Sequence, residues 1–157
     1  MSMSRLLLVP LLGTLLALAG CQTTTSAGAT GVARPQLMLV SSEQLERSAA
    51  NSYTKLLADA TEAGALNTNA ALVKRVRAVA QRIAPQTAVF RADAPAWNWQ
   101  VNVLESKALN AFCMPGGKIA FNSGLIEQLK LSDAEIAVVM GHEIAHALRE
   151  HSREQVS

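Results

Sequence analysis

Aromatic side chains are scarce in this sequence: two Trp, one Tyr and three Phe among 157 residues. Proteins that track single-stranded nucleic acid stack successive bases on such rings, so that class is excluded. A charge imbalance is missing too, with 14 Lys and Arg against 12 Asp and Glu. A formal net charge of +2 gives no footprint for a phosphate backbone or an acidic substrate, and no nucleic-acid partner is expected. Two Cys, Cys21 and Cys113, cannot build a disulfide framework. What is present is 50% hydrophobic and 17% charged, which excludes overall disorder and fits one small globular domain.

The N-terminus reads as a targeting segment. Met1 to Arg5 carries one positive charge, and Leu6 to Leu18 is an uncharged, leucine-dominated run of 13 residues. That is shorter than the roughly 20 residues a membrane-spanning helix needs. Leu18-Ala19-Gly20-Cys21 follows and resembles the bacterial lipobox. Residues 1–20 are therefore expected to be a lipoprotein signal peptide, with Cys21 lipidated and the protein held on a membrane by its acyl chains. Gln22 stands where an inner-membrane retention Asp would stand. This favours the outer over the inner membrane, on the periplasmic side of a cell envelope. Residues 21–35, rich in Thr, Ala and Gly, read as a flexible tether. With Cys21 acylated, Cys113 is expected to be a buried, inert thiol.

Residues 36–157 read as an α+β domain, helices packed on a small, mostly antiparallel sheet. Ser41 and Gln44 suggest a capping box, and Leu45, Ala49, Tyr53, Leu56 and Leu57 keep helical spacing up to Gly64. Leu72, Val76, Val79 and Ile83 mark a second helix from about Asn69 to Ala84, ended by Pro85. Its Lys74, Arg75, Arg77 and Arg82 read as a solvated face. Trp97 to Leu104 alternates like a half-buried strand. Ala111-Phe112-Cys113 is a second apolar piece, and Met114-Pro115-Gly116-Gly117 fits a type II turn into a returning strand, Lys118 to Asn122.

Chemistry concentrates near the C-terminus. Ser132-Asp133-Ala134-Glu135 is a capping box, and Ile136, Val139, Met140 and Ile144 continue at helical period. Within that helix lies His142-Glu143-Ile144-Ala145-His146. Four residues of helix turn about 400°, so both imidazoles point one way, about 6 Å apart along the axis. Both can reach one Zn²⁺ at about 2.0–2.1 Å. Glu143, turned about 100° from His142, can stand beside the ion as a general base. All three histidines fall within ten residues, yet His151 is not expected as a ligand. On a continuous helix it lies about 140° from His146 and 180° from His142. The zincins with a third histidine need Gly and His where this chain has Arg149 and Ser152. His151 is left on the helix face, or supporting a ligand from behind.

Asn110-Ala111-Phe112, Pro115-Gly116-Gly117-Lys118-Ile119, Asn122-Ser123-Gly124-Leu125 and the stretch VVMGHEIAHALREHSRE together resemble the zinc metalloendopeptidases of the HtpX, Oma and CAAX prenyl protease type. The resemblance implies zinc held by His142 and His146, Glu143 as catalytic base, and an α+β fold. It also implies a substrate cleft along Asn110, Ala111 and Phe112, with polypeptide substrates that are misfolded or misassembled envelope proteins. That family takes its third ligand from a Glu on a later helix, whereas this sequence stops eleven residues after His146. Glu150 lies a full turn beyond His146 and is not expected to reach the metal. The sequence thus reads as the N-terminal portion of such a domain, with zinc held weakly by two ligands. The competing reading is a catalytically inactive lipoprotein that binds extended polypeptide along a sheet edge, as a chaperone-like module.

Overall fold

Local signals set the ends of the two long N-terminal helices. The Ser41 hydroxyl accepts from the Gln44 backbone N–H and opens α1 (Ser42–Glu62). The Asn69 side chain accepts from the Leu72 N–H and opens α2 (Ala70–Ile83). Pro85 does end regular helix there, and the chain tightens into a 3₁₀ segment, Ala84–Val89. The computed structural model describes residues 21–27, 31 and 34–157; the expected signal peptide, 1–20, lies outside them.

Three strands form the main sheet: β3 (Gln100–Leu104), β4 (Ala111–Met114) and β5 (Lys118–Asn122), in the order β3-β5-β4. β1 (Cys21–Gln22) and β2 (Gln36–Leu37) make a separate two-stranded sheet. Pro115, Gly116 and Gly117 turn β4 back onto β5, and both glycines take positive φ, 74° and 77°. Because that tight turn seats β5 beside β4, β3 pairs with the other edge of β5, in parallel. The α+β class is as expected, and the sheet is mixed within it. The strand expected from Trp97 starts only at Gln100. The Trp97 and Trp99 indole N–H groups donate to Asp93 and to the Ala94 carbonyl, holding that stretch in a turn after the 3₁₀ segment Ala94–Ala96.

The sheet has different partners on its two faces. Ile119 and Phe121 of β5 join Leu72, Val76 and Val79 of α2 in the main core, with Ile136, Met140 and Ile144 from the C-terminal helix α4 (Asp133–Leu148). Fully burying one such side chain stabilises by about 1.5–3 kcal/mol. On the other face Tyr53 of α1 is buried, donates to the Ile119 carbonyl and accepts from Asn102 at 3.1 Å. The short helix α3 (Ser123–Gln128) links β5 to α4. The polar side of α2 is partly used: Arg75 pairs with Asp133, and Arg77 donates to the Val101 carbonyl at 2.9 Å.

The stretch expected to be a free tether is docked where it is described. Cys21–Gln22 forms β1, antiparallel to β2 (Gln36–Leu37). The Ser26 N–H donates to the Phe90 carbonyl at 2.8 Å. Backbone groups and hydroxyls that composition marks as solvated find partners on the domain instead.

Candidate active site

Helix α4, which carries His142, Glu143 and His146, begins with a complete capping box. Ser132 accepts from the Glu135 N–H, and the Glu135 carboxylate accepts from the Ser132 N–H at 2.7 Å. Ile136, Met140, Ile144, Ala147 and Leu148 are buried, and the helix packs on α2 and β4. That burial leaves His142 and His146 exposed and Glu143 half-buried. The helical period alone therefore presents all three at one side.

The two imidazoles converge. His142 Nε2 and His146 Nε2 lie 3.1 Å apart. Two nitrogens at zinc-ligand distances in a tetrahedral site are separated by about 3.3 Å, so the pair fits one shared ion. Glu143 lies close enough to β4 for its charge to act on Cys113. Burial first, and then Glu143, push the Cys113 thiol up to about 12, so it stays protonated at neutral pH. Cys113 is free and buried. Among the described residues no set of three His, Cys, Asp or Glu is grouped to hold a metal.

Asn110, Ala111 and Phe112 stand at the start of β4, which among the described residues pairs with β5 alone and so offers an open edge. Asn110 is exposed, Ala111 buried and Phe112 half-buried. The Asn110 carbonyl accepts from the Asn122 N–H at 3.0 Å, which anchors the strand where it meets the sheet. Cys21 is exposed at the start of β1.

Beyond Leu148 the structure departs from a continuous helix. Arg149 and Glu150 form a turn, Glu150 adopts the left-handed conformation (φ 50°, ψ 39°), and a new helix α5 (His151–Gln155) starts. His151 Nδ1 comes within 2.7 Å of His146 Nδ1, a contact that the angle of a straight helix forbids. It meets the nitrogen of His146 that faces away from His142. Burial, and next the neighbouring His146, hold His151 below its ordinary pKa. Glu150 is engaged elsewhere. Its buried carboxylate accepts from Arg91 and Arg153 at 2.7 Å each, and from Ser42. No glycine marks this break in the sequence. The only sequence signal is an acid followed three residues later by an arginine, and it gives no hint of Arg91.

The chain is 45% identical over 60 residues to the mitochondrial metalloendopeptidase OMA1 of Arabidopsis thaliana, covering 38% of this chain and 12% of that protein. It is 37% identical over 60 residues to the mitochondrial metalloendopeptidase OMA1 of Bos taurus, covering 38% and 11%. For that of Schizosaccharomyces pombe the figures are 36% over 59 residues, covering 38% and 17%. These relatives are mitochondrial, which overturns the outer-membrane, periplasmic location expected from residues 1–22: a short charged start and an apolar run do not by themselves specify a compartment. Among the described residues no helix is long and apolar enough to cross a membrane. No solved structure matches the chain. The model of peptidase family M48 matches residues 70–157, from α2 through the histidine helix to the C-terminus, and the chain belongs to that family.

Proposed function

We propose that this chain carries the metal-binding histidines and the general base of a zinc-dependent endopeptidase acting on extended, misfolded or misassembled polypeptide. The observation that carries the reading is the 3.1 Å approach of His142 Nε2 to His146 Nε2, with Glu143 between them in sequence. His142 and His146 are the residues that would hold zinc. When bound, the ion supplies Lewis acidity for the scissile carbonyl and the attacking water.

Glu143 takes a proton from that water and delivers it to the leaving amine nitrogen. Its half-buried place beside β4 sets it next to the strand along which substrate would lie. An extended peptide pairs through its backbone with the open edge of β4 near Asn110, Ala111 and Phe112, which gives affinity with little sequence selectivity. Two histidines alone hold zinc less tightly than a three-ligand site, so activity is to be measured at saturating zinc.

The test compares two substitutions. Glu143→Gln keeps size and both histidines, so zinc content should match wild type while cleavage of unfolded casein falls by about 100-fold or more. His142→Ala should lose metal and activity together. Full activity in Glu143→Gln would remove the base from the mechanism. Casein binding without cleavage, unchanged by Glu143→Gln and by removing zinc, would favour the inactive polypeptide-binding module.

A further inference from the structure

The proposed function leaves His151 without a role, yet its contact is the shorter of the two that His146 makes. His146 presents both ring nitrogens to other histidines: Nε2 to His142 Nε2 at 3.1 Å, and Nδ1 to His151 Nδ1 at 2.7 Å. The His146 and His151 rings meet edge to face, with centroids 4.8 Å apart and planes at 75°. We propose that His151 is a positioning residue for His146. It accepts a hydrogen bond from His146 Nδ1–H and so holds the Nε2 lone pair of His146 toward the metal. The proposal rests on the reading of His142 and His146 as ligands.

A neutral imidazole carries one N–H, and at 2.7 Å one of the two facing nitrogens must donate to the other. Were His151 the donor, the His146 proton would sit on Nε2 and block the metal. With His146 as donor, Nε2 is bare and aimed at the partner nitrogen of His142. Metal-binding histidines commonly give their second N–H to a carboxylate or carbonyl that fixes ring and tautomer. Here an imidazole occupies that place.

The backbone is arranged to deliver it. Had α4 continued past Leu148, His151 would stand about 140° around the axis from His146. Glu150 adopts instead a left-handed conformation that residues with a Cβ avoid. Its buried carboxylate is fixed by Arg91 and Arg153 at 2.7 Å each and by the Ser42 hydroxyl. Arg91 follows the 3₁₀ segment after α2, and Ser42 opens α1. Three separate parts of the chain thus hold one residue in an unfavourable backbone state. The result is that α5 starts with His151 against the ligand.

Two variants test the role. His151→Phe keeps a ring of similar size and removes the acceptor. His151→Asn puts an amide oxygen near the position of Nδ1 and keeps it. Ring ¹⁵N shifts of His146 in the metal-free chain report its tautomer, and chelator competition reports zinc affinity. Wild type should show His146 protonated on Nδ1. His151→Phe should move the proton toward Nε2 and weaken zinc binding by about 10–100-fold, with the metal-free unfolding midpoint unchanged. His151→Asn should recover most of both. Unchanged tautomer and affinity in His151→Phe overturn the proposal, as do equal losses in Phe and Asn. A wild-type chain that binds no zinc while its His146 tautomer still responds to His151→Phe overturns the ligand reading and supports the His146–His151 hydrogen bond. Zinc bound by wild type without any tautomer response overturns the positioning role alone.

Discussion

Residues 133–148 and residues 149–155 are consecutive in the chain and are shaped by different forces. In the first segment every determinant is near in sequence: a capping box at Ser132 and Glu135, then an apolar stripe from Ile136 to Leu148. The positions of His142, Glu143 and His146 follow from helical period alone. In the second segment the determinants are remote. Glu150 is bound by Arg91, 59 residues away, and by Ser42, 108 residues away. The contrast separates two jobs. Local code places His142, Glu143 and His146, and long-range buried charge sets the turn that brings His151 against His146.

The sharpest way to break that contrast is at Glu150. Glu150→Gln keeps the shape of the side chain but takes the counter-charge from buried Arg153 and leaves Arg91 with Asp93 alone. Removing one member of such a buried cluster costs about 3–5 kcal/mol. Chemical denaturation of the metal-free protein should show that loss, and the His146–His151 contact should weaken with it. A loss under about 1 kcal/mol would show that residues 149–155 hold their shape without remote help, and the two segments would then be alike.

Acid should produce a smaller, graded form of the same effect. Burial raises the Glu150 pKa, but hydrogen bonds from Ser42, Arg153 and Arg91 outweigh it and hold the group below its ordinary 4.5. The folded state therefore binds this proton less readily than the unfolded state. Its stabilisation is complete above the ordinary value and is lost as pH falls through the lowered one. The stability gap between wild type and Glu150→Gln should be constant down to the ordinary carboxylate range, then narrow on further acidification. Glu154, held at about 2 by hydrogen bonds from Arg34 and Gln36, titrates alike in both proteins and cancels from that gap. A gap that is independent of pH would show that charge is not what fixes the turn.

The same division explains what could be read from the sequence. The caps at Ser41 and Ser132, the turn at Pro115-Gly116-Gly117 and the convergence of His142 with His146 are local, and the structure has them where spacing places them. The left-handed Glu150 was not legible, because no glycine signals it and its cause lies across the fold. Of the two places the sequence leaves open for His151, the helix face or behind a neighbouring histidine, the turn at Glu150 selects the second. The parallel pairing of β3 with β5 was missed on similar grounds, since strand patterning says which face is buried and not which edge is taken. Docking of Cys21–Gln22 and Ser26 escaped notice because Thr- and Gly-rich composition carries no record of a specific partner. The compartment expected from residues 1–22 is overturned by the mitochondrial relatives.

The least costly lesion should be on the local side of the comparison. Ser132→Ala removes the hydroxyl that accepts from the Glu135 N–H and frees the Glu135 carboxylate from one of its two partners. The lost cap should cost about 1 kcal/mol. The remaining bond, from the Ser132 backbone N–H to Glu135, survives the substitution. The core contacts of Ile136, Met140 and Ile144 are untouched, so the helix should fray at its first turn without moving His142 or His146, which lie ten and fourteen residues further on. Zinc affinity should therefore match wild type while the unfolding midpoint drops slightly. Hydrogen exchange confined to residues 133–136 would be the local signature. Should Ser132→Ala instead loosen zinc as much as His151→Phe does, the helix would be transmitting its N-terminal state to the site, and the separation of local scaffold from remote brace would fail.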